Sequence, residues 1–131
     1  MWLWGERFNN SGRRRLMPAG EAFADLFQAF GRITVRRMFG GAGLFVDGLM
    51  IGLVMDERIF LKTDDQTRAA FIAERCEPFT YGAKGGKRVS LGYYAIPDRL
   101  LDDPEEFADW ARAAERVARA KQMKKSRSAK R

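Results

Sequence analysis

The sequence predicts an α+β fold, a two-layer sandwich in which helices cover one side of a mostly antiparallel sheet. Six short segments are rich in β-branched and apolar residues, and the first four follow one another with no helical pattern between them. The dipeptide Asp47-Gly48 separates two of these segments and favours a type I′ hairpin turn, because both central positions of that turn need a positive φ. Consecutive strands joined by short turns exclude a doubly wound parallel fold.

The first predicted helix covers residues 21–31. Its apolar side chains recur at i, i+3, i+4 and i+7, as expected for one stripe of an amphipathic helix: Phe23, Leu26, Phe27 and Phe30. Gly31 follows the last of them and is typical of a helix C-terminus. Four strands are then predicted, separated by glycine or acidic turns, over residues 33–39, 44–47, 49–55 and 58–62.

A capping box predicts the start of the second helix. Thr63 and Gln66 have the required spacing, with each side chain bonding the backbone of the other residue, and the helix is expected to run to about residue 75. Residues 77–82 and 87–94 then flank a glycine-rich turn and are expected to pair as a hairpin.

The third predicted helix begins at an acidic cap. Asp103 is suited to the N-cap and Pro104 to the first helical position. An apolar stripe continues along this helix: Phe107, Trp110, Ala111, Ala114, Val117 and Ala118. The helix therefore merges into the basic end of the chain.

Positive charge is concentrated at the two ends of the chain. The 131 residues include 24 Lys and Arg against 17 Asp and Glu, for a formal charge of +7. Residues 1–15 carry +3 and residues 116–131 carry +8, whereas residues 16–115 have 12 bases against 16 acids and carry −4. This distribution divides the chain into three predicted parts: an N-terminal extension (1–16), a folded domain (17–120) and a basic C-terminal tail (121–131).

The residue types in the chain exclude several classes of activity. Histidine is absent, and the single cysteine, Cys76, is expected to be a core thiol, so disulfides, imidazole catalysis and an ordinary zinc site are removed. Neighbouring acids lie at turns and helix starts, so no catalytic, metal or cofactor site is predicted and the protein is expected not to be an enzyme. No apolar run reaches the roughly 18 residues of a membrane span, and the N-terminus lacks a secretory signal, so a cytoplasmic location is expected.

A glycine-rich segment follows the first predicted strand and suggests a phosphate-binding loop. Such loops open a helix, but Gly40, Gly41 and Gly43 lead into a strand and match no phosphate-loop spacing. A tight turn or bulge is the preferred interpretation, with at least one of these glycines at positive φ or in close backbone contact. For Arg36 and Arg37, in the preceding strand, an ion pair is favoured over ligand binding.

The C-terminal tail can attract phosphates without sequence preference, more weakly as salt rises, although such tails are also typical of solvated chain ends. The predicted phosphate contacts are Lys121, Lys124, Lys125, Arg127, Lys130 and Arg131. The positive charge has no apolar stripe beneath it. We therefore expect the tail to leave the domain surface after about Ala120, even if the third helix continues for a turn or more.

The third strand predicts self-association. Its two faces carry no charge: Leu49, Ile51, Leu53 and Met55 on one, and Met50, Gly52 and Val54 on the other. A strand with one wet face alternates apolar and polar residues, so this strand is expected to be covered on both sides. With three helices on one face of the sheet, a homodimer through the other face is predicted. The alternative is that residues 1–16 fold back over that face.

Several separated motifs resemble the N-terminal domain of the TfoX competence regulators. In chain order they are residues 37–45 (RMFGGAGLF), Asp47-Gly48, residues 60–64 (FLKTD), residues 78–81 (PFTY), Tyr93-Tyr94 with Pro97, and residues 109–111 (DWA). The resemblance spans about residues 20–120. The residues that match the family's signature, which is not a known catalytic or binding site, are Arg37, Phe39, Gly40, Gly41, Gly43 and Gly48.

The resemblance implies a compact two-layer α/β domain of the secretion-chaperone-like kind, in agreement with the predicted elements. In full-length TfoX proteins a second, helical domain follows, and the pair promotes transcription of competence genes together with the cyclic-AMP receptor protein. Here eleven residues follow Ala120, too few for that second domain. The resemblance supplies no catalytic residue, cofactor or DNA-reading helix.

These observations lead to one main functional prediction and two alternatives. The main prediction is a non-enzymatic regulatory or adaptor domain that binds protein, within competence-like transcriptional regulation. The first alternative is a nucleic-acid-associated protein whose basic tail supplies non-specific affinity. The second is an enzyme or small-ligand binder with a cleft lined by arginine and tyrosine, for which histidine and metal ligands are missing.

Overall fold

A six-stranded antiparallel sheet forms one of the two layers of the protein. The computed structural model of the chain describes residues 23–38, 40–81 and 88–129. Its strands are β1 Thr34–Met38, β2 Gly41–Val46, β3 Leu49–Met55, β4 Arg58–Lys62, β5 Pro78–Tyr81 and β6 Arg88–Ala95. They lie in the order β1-β2-β3-β4-β6-β5, and every neighbouring pair is antiparallel. The predicted α+β fold is confirmed.

Helices form the second layer, on one face of the sheet. They are α1 Ala24–Phe30, α2 Arg68–Ala73 and α3 Pro104–Ala129, with a short 3₁₀ helix at Asp98–Asp102 before α3. The main core lies between the layers and takes side chains from all three helices, with Phe107, Leu44 and Leu61 fully buried. α3 packs on β3, β4 and α1. Because each such side chain contributes about 1.5–3 kcal/mol on burial, the contact between layers is the main source of stability.

Two helix ends follow their sequence signals. α1 ends at Gly31, which has φ 94° and donates its N–H to the Phe27 carbonyl at 2.9 Å. The Asp103 carboxylate accepts a hydrogen bond from the Glu106 N–H at 3.1 Å and caps α3. Both predicted caps are therefore confirmed.

The start of α2 differs from the prediction: the helix begins at Arg68, and Thr67, which precedes it, makes no side-chain cap. The Asp64 carboxylate accepts hydrogen bonds from the backbone N–H groups of Gln66 and Thr67, at 2.9 and 2.8 Å. Thr63 is buried and donates its own N–H to the Gly92 carbonyl of β6 at 2.8 Å. The N–H of Gln66, which the predicted box assigned to Thr63, is thus bonded by Asp64, in the turn that leads into α2.

The hairpin at Asp47-Gly48 is confirmed, with φ of 51° at Asp47 and 82° at Gly48. The turn between β3 and β4 uses the same backbone region without a glycine, with φ of 54° at Asp56 and 62° at Glu57. Residues other than glycine, asparagine and aspartate rarely adopt positive φ, so the sequence indicated the first turn more clearly than the second.

The glycine-rich segment has a structural reason at two positions. Gly40 has φ 80° and lies in the turn between β1 and β2. Gly41 lies in β2, where a Cβ would come within 2.2 Å of the Val54 carbonyl oxygen. The prediction of positive φ or close backbone contact is confirmed, although Gly41 and Gly43 belong to the strand and not to the turn. Phe39 lies outside the described residues.

A β-bulge in β3 changes which side chains share a face. Leu44 pairs with Gly52 and Phe45 pairs with Met50, which leaves Ile51 as the extra residue. The helix-covered face therefore takes Leu49, Ile51 and Val54, and the opposite face takes Met50, Leu53 and Met55. The strict alternation predicted for residues 49–55 is wrong, because a bulge inserts one residue between two paired positions.

An ion-pair cluster joins α3 to the segment after α1 and to the β2–β3 hairpin. Glu115, which is only 8% exposed, accepts hydrogen bonds from the two Nη atoms of Arg32 at 3.1 and 2.7 Å. Arg119 donates to Glu115 and to Asp47, each at 2.7 Å. The hydrogen bonds from Arg32, followed by those from Arg119, hold the pKa of Glu115 below its usual range.

We predict that Glu115→Gln lowers the free energy of unfolding by about 1–2 kcal/mol at neutral pH, as for a charged hydrogen bond partly screened by solvent. Because the folded-state pKa of Glu115 is lowered, the ionised cluster stabilises the fold fully above the unfolded pKa of about 4.3. That stabilisation is lost as the pH falls through the lower folded pKa. Urea unfolding from neutral to acidic pH should therefore show the two proteins converge in stability.

Glu105→Gln is the matched control for this measurement, because Glu105 is an exposed glutamate of the same helix. It should change the free energy of unfolding less than Glu115→Gln does at neutral pH. Equal effects of the two substitutions would contradict the prediction.

Candidate binding surfaces

The C-terminal turns of α3 and one end of the sheet enclose an open groove with a volume of about 610 Å³. The β2–β3 hairpin and the last residue of β4 lie at this end of the sheet, and α3 extends past it. Four lysines line the groove, Lys62 from β4 and Lys121, Lys124 and Lys125 from α3. The apolar side chains of Phe45 and Met50 lie beside them.

The helical repeat of α3 turns its lysines toward the sheet. Ala114 and Ala118 are buried in the core, at 2% and 4% exposure. Steps of three and four from Ala118 reach Lys121 and Lys125, so these lysines continue the buried stripe of the helix. The stripe changes from alanine to lysine where α3 leaves the sheet, and the three lysines of α3 are exposed.

Lys62 is half-buried, unlike the lysines of α3. Its Nζ donates a hydrogen bond to Tyr93 Oη at 3.3 Å and lies 5.4 Å from the centre of that ring. Burial lowers the pKa of Lys62, and the charge of Lys125 adds to this effect. An anion in the groove would relieve both effects, since it would favour the charged form of Lys62.

Among the described residues, the lining of this groove contains no carboxylate. Asp47, in the adjoining hairpin, lies 2.7 Å from Arg119 and 3.6 Å from Arg32. Glu115 lies 2.7 Å from each of the same two arginines. The nearby acids are thus engaged elsewhere, and the positive charge of the groove favours an anionic ligand.

The sheet face opposite the helices carries a second apolar cluster, and we call this surface the open face. Its buried members are Leu53, Phe60 and Ala95, and half-buried Met50, Met55, Phe79 and Tyr93 pack around them. No side chain of the described helices belongs to this cluster. A solvated sheet face is typically polar, whereas this face has an apolar centre buried within the chain and an apolar rim that stays partly exposed, a composition that favours a further contact at the rim.

Cations lie over aromatic rings of the open face. The Arg36 guanidinium is 5.3 Å from the ring centre of Phe45, and that of Arg58 is 5.4 Å from the ring centre of Phe60. Each such contact contributes about 0.5–1 kcal/mol at an exposed site. Arg36 and Arg37 are exposed, and neither pairs with a carboxylate of the described residues, so the ion pair expected for them is not found there.

Part of the predicted phosphate-binding set lies together: Lys121, Lys124 and Lys125 share the groove. Residues 121–129 continue α3 without a break, so the start of the predicted tail is helical. The side chain of Arg127, and all of Lys130 and Arg131, lie outside the described residues.

Lys62 was missed by the sequence analysis. Lys62 lies two residues after Phe60 in β4, so both side chains lie on the open face. A lysine two residues after an apolar strand residue indicates that the strand reaches the edge of its apolar surface there. The sequence could not show that β4 ends beside the last turns of α3, because the two segments lie far apart in the chain.

Further features of the described residues concern the cysteine, the potential metal ligands and the apolar length of the helices. Burial raises the pKa of Cys76 to about 11, with smaller effects from Glu74 and Asp98, so the thiol stays protonated at neutral pH. Within residues 23–38, 40–81 and 88–129, no three potential metal ligands are grouped together. In the same ranges, no helix has the length and hydrophobicity required to cross a membrane.

Comparisons with known proteins identify relatives of the whole domain. The profile of the TfoX N-terminal domain family matches residues 25–118. The chain is 28% identical over 108 residues to the DNA transformation protein TfoX1 of Aliivibrio fischeri (strain ATCC 700601 / ES114). This match covers 82% of the chain and 51% of the relative, so the chain spans about half the length of the curated relative it matches. The family match ends before the lysines of α3.

Removal of residues 122–131 is expected to change the free energy of unfolding by less than about 0.5 kcal/mol, because the described side chains of this segment are exposed. Removal of residues 114–131 is the contrasting control. It also takes away buried Ala114, Val117 and Ala118 and should abolish cooperative unfolding. Thermal unfolding followed by circular dichroism compares the three chains. A loss of several degrees on the shorter truncation would show that the end of α3 packs against the domain.

Proposed function

The chain belongs to the TfoX N-terminal domain family, and on that premise we propose that it is a non-enzymatic regulatory domain that acts through protein contacts in competence-like transcriptional regulation. Similarity to a protein named for DNA transformation supports the competence-related part of this proposal. The proposal places the protein in the cytoplasm, where transcription can be regulated directly.

The open face is the observation that carries this proposal. Leu53 and Phe60 form its apolar centre, methionine and aromatic side chains surround them, and Arg36 and Arg58 lie at the rim. Protein interfaces have a similar arrangement, with few charges at the centre and with aromatic residues, methionine and arginine enriched. A regulator that works by contact needs such a surface.

We propose that a second copy of the chain binds the open face and forms a homodimer, because a twofold interface uses the same apolar surface on both subunits. Static light scattering should then give the mass of a dimer. Met55→Glu, on the half-buried rim of the open face, should convert the dimer to a monomer. Ile72→Glu is the matched control, since Ile72 is 56% exposed on α2 and lies outside the open face.

A chain that starts at Met17 separates the dimer from the alternative cover. The N-terminal extension lies outside the described residues, so its position has to be tested in solution. A monomer that dimerises only when shortened would assign the open face to residues 1–16. Monomers at both lengths would contradict the dimer.

Deletion of the gene for this protein in its native host is expected to lower transformation frequency and the transcript levels of DNA-uptake genes. Re-introduced wild type and Ile72→Glu should restore both, whereas Met55→Glu should not, because it places a charge on the open face. Unchanged transcripts after the deletion would contradict the regulatory role. Full restoration by Met55→Glu would show that regulation does not use the open face.

Nucleic-acid association is the second candidate function, and the groove is the observation that favours it. Lys121, Lys124 and Lys125 combine there with Lys62, and no carboxylate among the described lining residues offsets them. Lysines in such an arrangement attract phosphates mainly by displacing counterions, without reading sequence. This function can coexist with the first, because the lysines of α3 lie outside the open face, which adjoins the groove at Met50 and Lys62.

A further inference from the structure

We propose that the groove is a binding site for single-stranded nucleic acid, in which Lys62 of the sheet and the lysines of α3 contact successive phosphates from two sides. This inference rests on nucleic-acid association, the second candidate function, and gives that function a defined place in the fold. It differs from binding by a basic tail, because a residue of the folded sheet takes part.

The position of Lys62 is set by the fold. β4 is paired on both sides, with β3 and with β6. Tyr93 of β6 accepts the 3.3 Å hydrogen bond from Lys62 Nζ, which holds the charge at the mouth of the groove. Lys121 and Lys125 are placed opposite by a helix whose preceding turns are buried in the core. The backbone positions of these lysines are therefore set before a ligand arrives, which reduces the entropy lost on binding.

Among the residues that the structure describes, none that lines the groove is a counterion for its lysines, and this favours a polyanion. Lys62 and Lys125 line the same groove, and burial, followed by the charge of Lys125, lowers the pKa of Lys62. A phosphate between them would be attracted by both. Asp47 and Glu115 do not compete, because Arg32 and Arg119 bind them.

The apolar lining of the groove favours a single strand over a duplex. Phe45 and Met50 lie among the lysines and are both half-buried, so a base can contact a thioether and the part of the Phe45 ring that Arg36 leaves open. Proteins that bind single strands combine a positive groove with such stacking surfaces. A duplex keeps its bases paired and stacked on one another, so it cannot offer a base face to these apolar side chains.

Fluorescence anisotropy of the full chain with a labelled, mixed-sequence single-stranded DNA of about 20 nucleotides tests the proposal. With about 0.7 counterions released per phosphate contact, four lysines predict a slope of about −3 for the logarithm of the affinity against the logarithm of the salt concentration. Lys62→Gln should make this slope shallower by about 0.7 and weaken binding by roughly fivefold at moderate salt. Lys62→Arg should retain most of the affinity.

Arg116→Gln is the matched control. Arg116 is exposed on the same helix and is not part of the groove, and its loss changes the net charge by the same amount. It should change the affinity less than twofold. The double variant Lys124→Gln/Lys125→Gln, at two exposed positions, should weaken binding more than Lys62→Gln and keeps the test valid if Lys62→Gln unfolds.

The outcomes separate this site from general association with nucleic acid. If Lys62→Gln and Arg116→Gln weaken binding equally, while removal of residues 122–131 abolishes it, the tail binds without the groove and the proposal is overturned. Tighter binding of the same sequence as a duplex would also overturn it. An absence of binding even at low salt would overturn both the site and the second candidate function, and would leave the regulatory role standing.

Discussion

Burial of one side of α3 against β3 and β4 is the contact on which the other features of the structure depend. Phe107 and Ala111 are fully buried there, and the alanines of α3 allow the helix to lie close to the sheet. At about 1.5 Å per residue, the 26 residues of α3 extend about 39 Å. The seven residues of β3 extend only about 23 Å at about 3.3 Å each. The helix must therefore continue beyond the sheet, and its lysines lie on the part that does so.

The same helix carries the charges that shape the groove. Glu115 and Arg119 lie one turn apart, close to where α3 leaves the sheet, and with Arg32 and Asp47 they form a cluster that balances its own charge. The acids near the groove are used in holding the hairpin and the α1–β1 segment to α3. The lysines of α3 lie beyond this cluster, so the charges that stabilise the fold and those of the proposed anion site are separated along one helix.

The open face and the groove adjoin each other. Met50 contributes to both, and Lys62 connects them, since it lines the groove and lies over Tyr93 of the open face. A molecule that covers Met50 on the open face also comes close to the groove. The two proposed contacts, one with protein and one with nucleic acid, therefore meet at the end of β4, where a regulator could sense both.

The sequence by itself determined the class of fold and the place of most elements, because their signals are local. The helix end at Gly31, the hairpin at Asp47-Gly48 and the cap at Asp103 each depend on residues within about four positions of one another. Only the tertiary structure decided the bulge at Ile51, which depends on how β2 pairs with β3. It also decided the meeting of Lys62 with Lys125 and the bonding of Arg32 to Glu115. These contacts join residues far apart in the chain, and their geometry is set by the packing of α3 on the sheet. A local sequence pattern does not specify that packing.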